Sequence, residues 1–181
     1  MTKRTADELQ ASARFLFADG QRDEALIRFQ EAAALYEAEG DVAASGEALN
    51  NVGVLQRMAG RLDQGTVALE RAIAAFEQVG DAHRRAMAKA NLADVLDKQG
   101  AHQQAAANYE AAADDLARSG DAERQAQVLR AYSLLQLRRR WWLPALDLMV
   151  RSLAVRPRRS LSQQLLYRFL RFARDFIAGQ R

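Results

Sequence analysis

The chain contains no cysteine, which excludes disulfides, a cysteine nucleophile and cysteine-ligated zinc. Proline occurs twice, at Pro144 and Pro157, so nothing interrupts long helices before residue 144. Histidine also occurs twice. Neither His83 nor His102 stands at a spacing from Ser, Asp or Glu that makes a recognisable triad or metal motif, and both read as structural or solvated. No run approaches the roughly 20 uncharged apolar residues that a membrane-spanning helix needs. The first eight residues, Met1 to Glu8, lack the apolar core of a signal peptide. Glycines are not clustered as in a phosphate-binding loop. From these absences we expect a cytoplasmic, non-catalytic protein with no cofactor and no metal.

Glycine is sparse but regular. Gly20, Gly40, Gly60, Gly80, Gly100 and Gly120 are spaced by 20 residues, and aspartate follows three of them, at Asp41, Asp81 and Asp121. The underlying period is therefore 40 residues, in two halves. Between the glycines lie mostly Ala, Leu, Glu, Gln and Arg, which favour helix. A glycine just past a helix end takes the left-handed conformation that closes the last turn. An aspartate straight after it caps the next helix. Repeats of this size indicate an all-α solenoid.

The side chains repeat with the glycines. In the second helix of each unit, Phe29 becomes Leu69, Tyr109 and Met149; Ala25 becomes Gly65, Ala105 and Ala145; Ala32 becomes Ala72, Ala112 and Ser152. In the first helix, Ala13 becomes Gly53, Ala93 and Ser133, and Phe15 becomes Leu55, Val95 and Leu135. Small residues on both helices let the two backbones of a hairpin approach, and the large ones beside them fill the space between hairpins. One hairpin cannot bury its own apolar face, so neighbours stack.

The pattern breaks at the seventh slot, where Arg140 replaces glycine and implies a different turn. Trp142 takes the slot of Leu62 and His102 and is expected to pack the start of the second helix. Ser160 is a candidate N-cap for a last helix over about 161–178. We expect its stripe Leu161, Leu165, Phe169, Phe172 and Phe176 to cover the fourth unit, leaving Leu166, Leu170 and Ile177 without a partner. Charge is divided too. Residues 121–181 hold 13 Arg and 4 Asp/Glu, a net +9, against −6 for residues 1–120 (13 Lys/Arg, 19 Asp/Glu).

The run from Ala48 to Leu55, then Gly60-Arg61-Leu62 and Ala68 to Ile73, resembles a tetratricopeptide repeat. Gly53, Gly60, Gly65, Leu69 and Ala72 fall on its signature slots, as do Asn91-Leu92-Ala93, Gly100, Ala105, Tyr109 and Ala112 of the third unit. The 40-residue period, longer than the family's usual 34, resembles the repeats of kinesin light chains and of many bacterial regulators. The resemblance spans residues 5–157. It implies a right-handed superhelix of about four helix-turn-helix repeats (about 1–40, 41–80, 81–120 and 121–159) closed by an amphipathic capping helix over 160–181.

The resemblance also implies a concave groove for a protein or peptide partner. Its positions fall on Gln10 and Arg14; Asn50, Asn51, Val54 and Arg57; Asn91, Asp94, Asp97 and Lys98; and Gln127, Arg130, Leu134 and Arg138. Asn51 and Asn91, one repeat apart, suit pairing with a peptide backbone, since an amide both donates and accepts; the alternative is that they pair with neighbouring helices. The family's two-carboxylate clamp is absent, because Gln10, Arg14, Met87 and Asn91 stand where it needs Lys, Asn, Lys and Arg. The basic end offers a second surface in Arg138, Arg139, Arg140, Arg158, Arg159, Arg168, Arg171 and Arg174, with Trp141 and Trp142 among them. The function expected is a non-catalytic scaffold or adaptor. The alternatives are peripheral binding of the basic end to anionic membrane or nucleic acid, and a regulatory module acting on an enzyme. Self-association through the last helix would give a homodimer.

Overall fold

The computed structural model describes residues 5–179. Met1–Arg4, and Arg181 at the end of the arginine-rich segment, lie outside them. Among the described residues nine α-helices follow one another and there is no strand. They are α1 (Ala6–Ala18), α2 (Arg22–Glu39), α3 (Val42–Met58), α4 (Leu62–Gln78), α5 (Ala82–Lys98), α6 (His102–Arg118), α7 (Ala122–Arg138), α8 (Trp142–Ala154) and α9 (Leu161–Ala178). The fold is the all-α helical-repeat array that the glycine grid implies. The helices form two compact units, Met1–Asn108 and Tyr109–Arg181, so the boundary falls inside α6.

All six grid glycines have positive φ. At the first turn the Gln21 N–H donates to the Leu16 carbonyl (2.9 Å) and the Gly20 N–H to that of Phe17 (3.1 Å), the paired bonds of a left-handed helix stop. The aspartates then start the odd-numbered helices. Carboxylates of Asp41, Asp81 and Asp121 accept from the main-chain N–H of Ala44, Arg84 and Arg124 at 2.9, 2.8 and 3.0 Å. At Gln21, Arg61 and Trp141, inside the hairpins, no side chain caps the helix. The 40-residue period is thus written in the caps and the 20-residue beat in the stops.

In the first unit, Leu55 of α3 packs with Leu26 and Phe29 of α2. Phe15 holds the same slot in α1 but is 71% exposed, contrary to expectation, because no described hairpin precedes it. Tyr36 is buried beside Asp7 and donates to it at 2.6 Å, tying α2 to α1. The small residues do bring backbones together. A Cβ on Gly65 would stand 3.3 Å from the Gly53 carbonyl, and one on Gly53 would meet Leu69 Cγ at 2.4 Å.

In the second unit, Tyr109 and Tyr132 stack at 5.0 Å between centroids. Two serines replace the small residues of earlier repeats. Ser133 Oγ donates to the Ala145 carbonyl (2.7 Å) and Ser152 Oγ to that of Ala126 (2.8 Å). Two expectations fail here. Arg140 does not change the turn: it adopts φ 60° itself, and the Trp141 N–H reaches the Gln136 carbonyl at 3.0 Å as Arg61 reaches Gln56 at 2.9 Å. The helix stop demands the left-handed residue, and arginine takes the strain. Trp142 does not pack but is 65% exposed, because α9 leaves a cavity there instead of covering α8.

Candidate functional site

The odd-numbered helices of the first unit bring several of the expected groove residues together. Arg14 of α1, Asn51 and Val54 of α3, with Phe17, Phe29, Glu47 and Leu55, line a cleft of about 230 Å³ between α1 and α3. Glu47 organises its rim. It is ion-paired with Arg14 and lies 3.6 Å from Arg84 of α5, so one carboxylate joins three successive odd-numbered helices.

Asn91 does not face Asn51. Its amide donates to Asn50 Oδ1 at 2.9 Å, which links α5 to α3. Arg57 of α3 stands 4.0 Å from Asp94 of α5, and Asp97 lies 3.0 Å from His102 Nδ1. Lys98 is exposed. Gln10 is buried in α1, and its side-chain oxygen has no hydrogen-bond partner among the described residues. Sequence reasoning did not single out Glu47 or Phe17. Glu47 was legible in principle, because it precedes Asn51 by four residues and shares its helical stripe.

A larger cleft of about 580 Å³ was not anticipated. It runs between α2 and α4 over a floor of Leu49, Val52 and Gln56, and the Glu37–Arg71 ion pair spans it. The alternating-helix repeat gives such a cleft no sequence signature, since its walls are the ordinary solvent faces of two helices.

In the second unit, Gln127, Arg130, Leu134 and Arg138 are exposed along α7. The basic residues divide. Arg138, Arg140, Arg158, Arg168 and Arg171 are exposed. Arg139 lies 5.5 Å over the Trp141 ring, and burial holds its guanidinium below the ordinary value. Arg159 lies 4.5 Å over the Tyr167 ring and donates to the Ala154 carbonyl at 3.2 Å. Arg174 bonds Asp175 and reaches Asp147 of α8 at 3.3 Å; the bond to Asp175 is the main cause that raises its pKa, desolvation opposes it, and Asp147 adds to the rise.

The rotation of α9 departs from the expected one, although Leu166 stays 46% exposed. Leu170 and Ile177 turn toward the hairpin and line, with Leu137, Trp141, Trp142 and Pro144 among others, an apolar cavity of about 700 Å³. The stripe Leu161, Leu165, Phe169, Phe172 and Phe176 faces outward, each residue 57–78% exposed. Ser160 caps the helix as expected, accepting from the Gln163 N–H at 3.3 Å while the Gln163 side chain returns to the Ser160 N–H at 3.1 Å.

Among the described residues no group of three or more His, Cys, Asp or Glu is placed to hold a metal ion. None of their helices is long and apolar enough to cross a membrane. No curated protein matches the chain. Residues 45–117 match the family model of the tetratricopeptide repeat, whose members serve as protein–protein interaction modules. Among the described residues, the nine-helix repeat array on either side of that match is consistent with a tetratricopeptide-repeat protein.

Proposed function

We propose that the chain is a non-catalytic adaptor that holds an extended peptide or a helix of a protein partner against its odd-numbered helices. The observation that carries this reading is the α1–α3 cleft, where Arg14 converges with Asn51 and Val54, which lie 37 and 40 residues after it in sequence. The cleft offers a partner an apolar floor in Val54, Phe17 and Phe29, and an amide in Asn51 able to donate to and accept from a peptide backbone. Its charged rim, Arg14–Glu47–Arg84, supplies orientation more than affinity. In the second unit Gln127, Arg130, Leu134 and Arg138 are exposed along α7 and offer a partner contacts of their own.

The reading is tested with peptides selected from a random library on the full chain. Binding of the selected peptides is then titrated against Asn51→Ala and Val54→Glu. Both variants should weaken binding about tenfold or more, as expected for central contact residues, with the melting temperature nearly unchanged. Peptides that bind both variants as tightly as the parent chain would place the binding surface elsewhere, the α2–α4 cleft being next to test.

A further inference from the structure

The outward face of α9 carries five large apolar side chains that the fold leaves uncovered. Leu161, Leu165, Phe169, Phe172 and Phe176 fall within about a quarter of the helix circumference at 3.6 residues per turn, and Phe172 and Phe176 stack at 6.1 Å. From Leu161 to Phe176 the stripe runs about 23 Å at 1.5 Å per residue. It forms a ridge and not a groove, so it cannot wrap a partner helix; it can enter a soft surface.

The charges beside the ridge on α9 are two arginines and one aspartate that arginines engage. Arg168 and Arg171 flank it on α9 and are exposed, and Arg158 precedes its first turn. The one acidic residue of the helix, Asp175, is engaged by Arg174 at 2.7 Å and lies 3.8 Å from Arg171. A second copy of α9 would therefore bring the same arginines against one another with no free carboxylate to receive them. A surface that is apolar within and anionic at its boundary matches both the ridge and its flanks. We propose that α9 is an interfacial helix, docking the chain on an anionic phospholipid bilayer with its Phe/Leu ridge at the acyl boundary and Arg158, Arg168 and Arg171 among the headgroups. This inference stands apart from the groove reading, since none of its residues lines the α1–α3 cleft.

The test is co-sedimentation of the full chain with phosphatidylcholine vesicles, with and without phosphatidylglycerol, over a range of salt. Binding should require the anionic lipid and weaken as salt rises. Phe169→Ser/Phe172→Ser should lower binding by roughly tenfold or more while helix content and melting temperature hold, because both side chains are already in solvent. Arg168→Gln/Arg171→Gln should weaken binding to anionic vesicles and flatten its salt dependence. Failure to bind anionic vesicles at low salt overturns the proposal, and so does equal binding by the phenylalanine variant. Sedimentation velocity adds a third overturning result: a dimer that Phe169→Ser/Phe172→Ser dissolves, in a chain that ignores lipid, would give the face to a second copy. Binding to an acidic peptide but not to vesicles would give it to a protein.

Discussion

The Ser133 hydroxyl donates to the main-chain carbonyl of Ala145 at 2.7 Å, at the crossing where Gly53 and Gly65 stand two repeats earlier. The same hairpin contact is thus made in two ways. In the second repeat the absence of a side chain admits Leu69, since a Cβ on Gly53 would lie 2.4 Å from Leu69 Cγ. In the fourth, a hydroxyl fills the space and bonds across it. Gly53→Ala should then destabilise the first unit by about 1–3 kcal/mol through overpacking. Ser133→Ala should cost the second about 0.5–1.5 kcal/mol for one lost hydrogen bond. Urea denaturation of the two variants checks the order, and a Ser133→Ala loss as large as that of Gly53→Ala would contradict this account.

Arg140 is the only non-glycine with positive φ among the described residues. The left-handed conformation costs an L-residue about 1–2 kcal/mol. Glycine would remove that strain but gain roughly 0.4–1 kcal/mol of unfolded-chain entropy. Arg140→Gly is therefore expected to stabilise the chain by up to about 1 kcal/mol. A lowered melting temperature would show that the Arg140 side chain contributes more at the cavity edge than its backbone loses.

The amide pair between α3 and α5 makes a prediction that separates two asparagines. Asn91 bonds Asn50 at 2.9 Å, whereas Asn51 lines the α1–α3 cleft. Asn91→Ala should cost about 0.5–1.5 kcal/mol of stability, and a double-mutant cycle with Asn50→Ala should show the two losses coupled. Asn51→Ala should leave stability within about 0.5 kcal/mol. Additive Asn50 and Asn91 effects would mean that the pair does not hold the helices.

Much of this was legible because backbone chemistry left marks at fixed intervals. The glycine stops and aspartate caps give the helix ends, and the small residues of Ala13, Gly53, Ala93 and Ser133 give the hairpin crossings. Side-chain pairing across repeats was less legible. Equal slots are 40 residues apart, yet Asn50 meets Asn91 and Arg57 meets Asp94, offsets of 41 and 37. Neighbouring helices cross at an angle, so contact drifts along the repeat and Asn51 is not opposite Asn91. The strain at Arg140 was illegible for a different reason. A residue type states a preference, and the surrounding helix stop overrode it.

Asp81 links folding to pH. Burial pushes its pKa up, but the main-chain N–H and guanidinium of Arg84, with His83 adding to them, outweigh that and hold it below the ordinary carboxylate value. A carboxylate with a lower pKa in the folded chain contributes stability above its unfolded value of about 3.9, and loses it as pH falls through the folded value. Asp81→Asn keeps an oxygen acceptor for the cap but removes the titration. The variant should be less stable than the parent near neutrality, and the gap should close below about pH 4. Denaturation midpoints from pH 7 to 3 read this directly, and a gap that stays constant would assign the difference to packing.

The rotation of α9 yields the sharpest contrast between sequence and structure. Apolar residues cover about half of the helix circumference, and periodicity alone does not say which edge of that half docks. The polar anchors decide it. Arg174 reaches Asp147, Arg159 lies over Tyr167, and with these in place Leu170 and Ile177 turn inward while Phe172 turns out. If residues 160–181 close the array, they do so with the Leu170 edge. Leu170→Ala should then destabilise the second unit by about 1–2 kcal/mol, part of the cost of truncating a fully buried leucine. Phe172→Ala should change stability by less than about 0.5 kcal/mol. The sequence pattern taken alone predicts the opposite order, with the phenylalanine stripe carrying the docking. Thermal denaturation of the two single variants distinguishes the alternatives: a large loss for Phe172→Ala beside a small one for Leu170→Ala would mean that α9 is turned the other way in solution.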